Sequence, residues 1–257
     1  MIKDVNSKVI NILWTGGWDS TFRIISLILL NNNKIIQPYY IIDSQRVSAF
    51  KEIETMDMIR LVLYERYPWS RNILKPVNFV RIEDVKPNLS ISRHYQNLLR
   101  RSFLGSQYDW LSRFAEQMGI FDLELSIHKD DRASKFLAGF VERINIDNEY
   151  FFKLKPAFLE NDEDLAIFQY FKFPVFDLSK LDMDNTAKKS GFSEILELTW
   201  FCFNPLADGS PCGKCNSCIY AVQEGLGRRI GLNGKICYFL VKGKKFLKGL
   251  LCFSREK

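Results

Sequence analysis

An alternation constrains this chain more than any other feature: short β-branched apolar runs give way, repeatedly, to longer segments of helical period. Val9-Ile10-Asn11-Ile12-Leu13-Trp14 is the first run, and a glycine pair leads from it into a helix ending at Leu30. Asn31-Asn32-Asn33 closes that helix, because Asn competes for backbone hydrogen bonds and tolerates left-handed geometry. Residues 35–42 form a second run stopped by Asp43, and a helix over about 47–67 follows, ended by Pro68. Residues 77–82, 121–127 and 173–178 read as further strands, with one helical stretch over about 95–118 and a short helix after the last strand. Parallel strands need crossover helices between them, so this order predicts a doubly wound, mostly parallel α/β sheet.

Two stretches break the pattern. Residues 200–231 are rich in Cys, Gly and Pro, and beyond Gly234 the runs 236–241 and 246–253, separated by Lys242-Gly243-Lys244-Lys245, predict a hairpin. The expected division is an α/β domain over 1–199, a metal segment over 200–231 and a basic tail over 232–257. The net charge of +6 sits in that tail, where seven basic residues from Lys235 onward face Glu256 alone. Residues 1–234 are therefore balanced, and charge gives no licence for a nucleic-acid-binding class. The longest apolar stretch, residues 24–30, is interrupted by Ser26 and too short to span a bilayer; residues 1–6 hold no apolar signal core. A cytoplasmic protein without a membrane partner is expected.

Trp14-Thr15-Gly16-Gly17-Trp18-Asp19-Ser20-Thr21, followed by Phe22, stands where the first strand hands over to its helix. Two glycines let the backbone turn tightly around an anion, and free N–H groups at the helix start point at it with favourable dipole sign. Thr15, Ser20 and Thr21 can add hydroxyl donors. The Gly-x4-Gly-Lys spacing of a P-loop kinase is missing, as is the third glycine of a dinucleotide fingerprint.

Cys202, Cys212, Cys215 and Cys218 are spaced Cys-x9-Cys-x2-Cys-x2-Cys. Four thiolates satisfy tetrahedral zinc, and two-residue gaps let one tight turn offer neighbouring sulfurs to a single ion. Gly213 lies in the first short gap, where a metal knuckle needs unhindered backbone. Four thiolates leave no open position, so the expected Zn²⁺ is structural. Cys237 and Cys252 fall outside the spacing and read as small buried hydrophobes.

The octet resembles the Ser-Gly-Gly-x-Asp-Ser signature of the PP-loop ATP pyrophosphatases, with Thr15 in place of the first Ser. Leu198-Thr199-Trp200-Phe201-Cys202 together with Pro211-Cys212-Gly213-Lys214-Cys215-Asn216-Ser217-Cys218 resembles the zinc segment of the 7-cyano-7-deazaguanine synthases, the QueC type. Gln45-Arg46 looks like that family's Gly-Gln-Arg-His step, and Ser179-Lys180 like its Ser/Thr-Lys step. The resemblance spans about residues 12–225 in family order. It implies ATP and Mg²⁺ gripped by residues 14–22 and Gln45, with Asp19, Ser20, Arg46 and Lys180 in the chemistry. In the family, ATP adenylates the carboxylate of 7-carboxy-7-deazaguanine, ammonia captures it as an amide, and a second activation dehydrates the amide to the nitrile. Charge building on pyrophosphate needs Mg²⁺ and cations, a role that falls to Arg46 and Lys180.

The chain also departs from the family. Val47 stands where its His is expected, His128-Lys129-Asp130-Asp131-Arg132 replaces the stretch that holds the deazaguanine, and Gly105-Ser106-Gln107 replaces Gly-Arg-Asn. Three functions follow: the deazaguanine amide- or nitrile-forming enzyme; a ligase passing the same acyl group to another amine, such as one on a protein partner, as in defence-associated relatives; and a nucleotide-binding docking module without catalysis. Sulfur transfer to tRNA is a more remote fourth. A homodimer and a protein partner on the basic tail complete the partner expectations. His128 ends a strand, where open sheets bind ligands, and serves there either as a base or as a polar rim residue. Asp130-Asp131 either binds Mg²⁺, holds a substrate amine or simply partners the dipole of the helix it opens. The aromatics around Phe151-Phe152 and over 168–176 read as core.

Overall fold

The computed structural model describes residues 9–30, 34–146 and 149–253; the side chains of 159–160 and 243–253 are outside that description. The Asn31–Asn33 stop and the last tail charges, Arg255 to Lys257, also lie outside it.

Five strands form a parallel sheet in the order β3-β2-β1-β4-β7, namely Asn78–Arg81, Ile35–Ile42, Val9–Leu13, Leu123–Glu124 and Phe171–Lys172. Between β1 and β2 runs the helix Trp18–Leu30, and between β2 and β3 the helix Ala49–Arg66. One core, with Ile12, Trp14, Ile24, Ile28, Ile59 and Leu63, fills one face. The other face packs Leu98, Phe114, Leu123, Phe168 and Phe171 into a second core. The doubly wound α/β expectation holds.

The details moved where local pattern is weakest. The helical stretch over 95–118 is two helices, Leu89–Arg101 and Gln107–Gln117. Asn88 caps the first, its side chain accepting from the Ser90 and Ile91 N–H groups. The break between them is pinned by buried Leu104. Of the strand expected over 121–127 only Leu123–Glu124 pairs as a strand; Leu125 still donates its N–H to the Lys172 carbonyl, and residues 125–127 line a cleft. The last strand comes earlier than 173–178, at Phe171–Lys172, and residues 174–177 turn.

Two further elements differ from expectation. Val141–Ile146 (β5) and Glu149–Leu154 (β6) form an antiparallel hairpin that the sequence reading did not separate from core aromatics. Glu149 anchors it: the carboxylate pairs with Arg23 and Lys34, and Arg23 holds Glu124 of β4 through two hydrogen bonds of 2.8 Å. The tail hairpin is a correction, because Leu232–Phe253 is a single helix. Leu232, Ile236, Phe239 and Leu240 recur at helical spacing, and that period outweighs the turn-like Lys-Gly-Lys-Lys. Gly234 seats the helix on the metal segment, where a Cβ at Gly234 would stand 2.3 Å from the Pro211 carbonyl oxygen.

Candidate functional site

After β1 the chain builds β2 and β3 on one side, then returns to lay β4 on the other, so the strand order reverses between β1 and β4. Open α/β sheets bind ligands at the carboxyl ends of such strands. A cleft of about 170 Å³ opens there, walled by Leu13, Thr15, Gly17, Asp19 and Ser20 on one side and Gln107, Tyr108, Leu125, Ser126 and Asp131 on the other. Ser126 Oγ is buried in that wall without a hydrogen-bond partner. Such an atom is rare in a native structure and marks a place where a ligand oxygen or nitrogen would fit.

The loop over residues 14–21 is held by its neighbours. Gly16 adopts φ +66°, and a Cβ there would press to 3.1 Å from the Glu52 carbonyl oxygen, so the helix Ala49–Arg66 fixes how closely the loop packs. The Gly16 carbonyl accepts the Trp200 N–H at 2.9 Å, which ties the loop to the segment leading into the cysteines. Trp14 Nε1 donates to Thr21 Oγ1 at 2.9 Å inside the core, and Phe22 packs near Phe192. Trp14, Thr21 and Phe22 therefore support the loop from beneath, while Thr15, Gly17, Asp19 and Ser20 face the cleft.

Lys180 comes to the loop from 161 residues away, its Nζ standing 2.9 Å from both Asp19 oxygens. Ser179 caps the helix Lys180–Lys189 in a capping box with Asp182, which fixes the lysine at the helix start. Burial works to lower the Lys180 pKa, but Asp19 and then Glu224 outweigh it, and the ammonium is held above its ordinary value. Glu224 Oε2 lies 3.7 Å from that ammonium, and its other oxygen 4.0 Å from His128 Nε2. Burial raises the Glu224 pKa against the pull of Lys180 and His128.

Arg46 is engaged by the helix that follows it. It pairs with buried Glu52 at 2.9 Å, donates to Ser48 Oγ at 3.1 Å and lies over the Phe203 ring. Glu52 also accepts from Tyr40, so Arg46 serves the start of the helix Ala49–Arg66. Gln45 is exposed and outside the cleft wall. A different arginine flanks the loop. Arg229 lies 5.2 Å above the Trp18 ring and 4.8 Å from that of Phe201, and it donates to Thr199 Oγ1 at 2.9 Å. Burial pushes its pKa down to about 10, with Glu197 opposing. No local motif marks Arg229, Glu224 or Ser126; only position in the fold does. Gln107 and Asp131 are two of the family departures, and both sit in the cleft wall.

The four cysteines converge. All their sulfurs lie within 4.8 Å of one another, with Cys202–Cys215 and Cys212–Cys218 each 3.9 Å apart. A tetrahedron with metal–sulfur bonds of about 2.3 Å has edges of roughly 3.8 Å, so the set fits one ion. A four-iron cluster seats each thiolate on its own iron and needs a wider cradle. The Cys212 N–H donates to Cys202 Sγ and the Cys215 N–H to Cys212 Sγ, both at 3.3 Å, as in a thiolate knuckle. Gly213 at φ +70° makes the turn, and a Cβ there would stand 1.7 Å from the Gly234 carbonyl oxygen. The tetrad can hold a metal.

Comparison with known proteins supports the family resemblance over part of the chain. The family model described as queuosine biosynthesis protein QueC matches residues 112–226. A 7-cyano-7-deazaguanine synthase of Syntrophus aciditrophicus is 47% identical over 45 residues, which is 18% of this chain and 19% of that protein. The match thus spans under a fifth of the relative's length. Among solved structures, the U34-tRNA thiolase NcsA from Methanococcus maripaludis, with its [4Fe-4S] cluster, superposes at TM-score 0.44 and 14% identity, over 94% of this chain and 73% of that one. The chain is QueC-like across residues 112–226, the stretch that contains Lys180, the four cysteines and Glu224.

Proposed function

We propose that this QueC-like chain is an ATP-dependent enzyme that adenylates the carboxylate of 7-carboxy-7-deazaguanine or a related acid and delivers it to ammonia. The observation that carries this reading is Lys180, whose ammonium is brought to Asp19, a residue of the cleft wall. Thr15, Gly17 and Ser20 face the space a triphosphate would take. Asp19 is the carboxylate for the Mg²⁺ that accompanies ATP, and Lys180 is the cation for charge building on the leaving pyrophosphate. The substrate carboxylate oxygen attacks the α-phosphorus and pyrophosphate departs. Ammonia then adds to the acyl carbon, loses a proton and expels AMP, leaving the amide. For the nitrile, the amide oxygen attacks a second ATP, pyrophosphate leaves, and loss of AMP with the second N–H proton makes the triple bond. The four cysteines fit Zn²⁺, which in a closed thiolate site supplies rigidity to residues 200–231.

The test is mass spectrometry of the purified protein with ATP, Mg²⁺ and 7-carboxy-7-deazaguanine, with and without ammonia. AMP, pyrophosphate and an amide or nitrile are the expected products. Absence of AMP with every carboxylate offered would sink the enzymatic reading and leave a nucleotide-binding module.

One observation favours a second reading. Gln107 and Asp131 stand in the cleft wall at departures from the family, beside the unpartnered Ser126 hydroxyl. A different acid, or an acceptor amine other than ammonia such as one on a protein, would match a rewritten wall. AMP without an ammonia-dependent product would favour it.

A further inference from the structure

Glu224 follows directly on the helix Asn216–Gln223, which starts at the metal knuckle and carries Cys218. Its carboxylate faces Lys180 Nζ at 3.7 Å, while both oxygens of Asp19 hold the same ammonium at 2.9 Å. One largely buried cation is therefore shared by two carboxylates from different segments of the chain. Asp19 comes from the phosphate loop and Glu224 from the cysteine segment. A divalent cation drawn to Asp19 would meet the ammonium that both its oxygens already hold, and the two positive charges would repel each other. Releasing Lys180 without another partner would strand a buried charge, which is costly.

We propose that Glu224 is a positioning residue: a second seat for the Lys180 ammonium, taken up when Asp19 turns to the divalent cation of bound ATP. The inference rests on the nucleotide-site reading of Asp19 and Lys180. His128 stands near the seat without a hydrogen bond to it. Its Nδ1 accepts the Asp130 N–H at 3.2 Å, which assigns the ring proton to Nε2, the nitrogen 4.0 Å from Glu224. Since Glu224 ends the helix that begins at the knuckle, the cysteine tetrad decides where the seat stands. The tetrad thereby acts on the phosphate loop through one carboxylate, without touching the nucleotide.

Removing the Glu224 charge has two opposed consequences. A negative charge disappears from near an anionic ligand, which favours metal-free ATP. The ammonium also loses its alternative partner, which makes Asp19 harder to free for Mg²⁺. A merely structural lesion would weaken both kinds of binding together.

The experiment measures ATP binding to the whole chain, first in a chelator and then with rising Mg²⁺, for the wild type, Glu224→Gln, Glu224→Asp, Lys180→Ala and the double variant Lys180→Ala/Glu224→Gln. Bound metal per chain and melting temperature serve as folding controls. Glu224→Gln is expected to raise the half-saturating Mg²⁺ about fivefold to tenfold, the effect of one part-buried charge partner, with metal-free ATP bound at least as tightly as by the wild type. Glu224→Asp keeps the charge and should stay within about twofold of the wild type, a small surface-scale change. Lys180→Ala should lower the Mg²⁺ requirement, and adding Glu224→Gln to it should change nothing further, because the residue acts through the lysine. An unchanged Mg²⁺ requirement in Glu224→Gln, parallel losses with and without metal, or additive effects in the double variant would overturn the proposal. A wild type that binds MgATP yet makes no AMP defeats the enzymatic reading while the binding curves still judge Glu224; a wild type that binds no nucleotide defeats both.

Discussion

Asp19 and Cys215 were legible from their neighbours alone, and their consequences can be stated singly. Asp19→Ala should abolish AMP formation, measured with ATP and the carboxylate, while leaving the cysteine-bound metal in place. Cys215→Ser should lose that metal, read by elemental analysis of the purified chain, because three thiolates and a hydroxyl no longer close the site. Trp14 and Thr21 carry a different lesson. They belong to the signature octet, yet their hydrogen bond of 2.9 Å is buried beneath the loop. Trp14→Phe therefore leaves the Thr21 hydroxyl short of a partner and should cost about 1–3 kcal/mol in denaturant unfolding. Arg46 shows what a motif leaves open. The Gln-Arg step is present, and its guanidinium pairs with Glu52, which lies outside any motif used to find it.

Elements were predictable where apolar period was strong and uncertain where pairing partners decide. The strands β1 and β2 and their helices follow the sequence pattern closely. β4 and β7 have two residues each, a length that depends on what lies across the ladder and not on the run itself. The β5/β6 hairpin escaped notice because its aromatics read as generic core, and its tie to the sheet is an ion network. Arg23 bridges Glu124 and Glu149, all three largely buried. Glu124→Ala would leave Arg23 without its bidentate partner and should cost about 3–5 kcal/mol, measured by chemical denaturation. Gly213→Ala should break the knuckle's contact with the final helix, since its φ of +70° and the nearby Gly234 carbonyl leave no room for a methyl group. The expected readout is weakened metal retention in a chelator competition assay.

Across the whole molecule, the same ion network sets a pH response. Burial works to raise the Glu149 pKa, but Lys34 and Arg23 outweigh it, so the folded value lies below the ordinary 4.5. A carboxylate depressed in the fold contributes stability that is fully present above the unfolded pKa and lost as pH falls through the folded one. Unfolding free energy should therefore decline below about pH 4.5, and Glu149→Gln should flatten that decline while lowering stability at neutral pH. Among the described residues no helix is long and apolar enough to cross a membrane. The sequence by itself determined the α/β class, the turn of the glycine-pair loop and the cysteine set, because each is written in local period, in glycine placement or in ligand spacing. The tertiary structure alone decided that Asp19 and Glu224 meet at Lys180, that Arg46 pairs with Glu52, and that Ser126, Gln107 and Asp131 wall the cleft. Those contacts join residues tens to hundreds of positions apart. Their geometry depends on the strand order that turns back between β1 and β4, which no local pattern records.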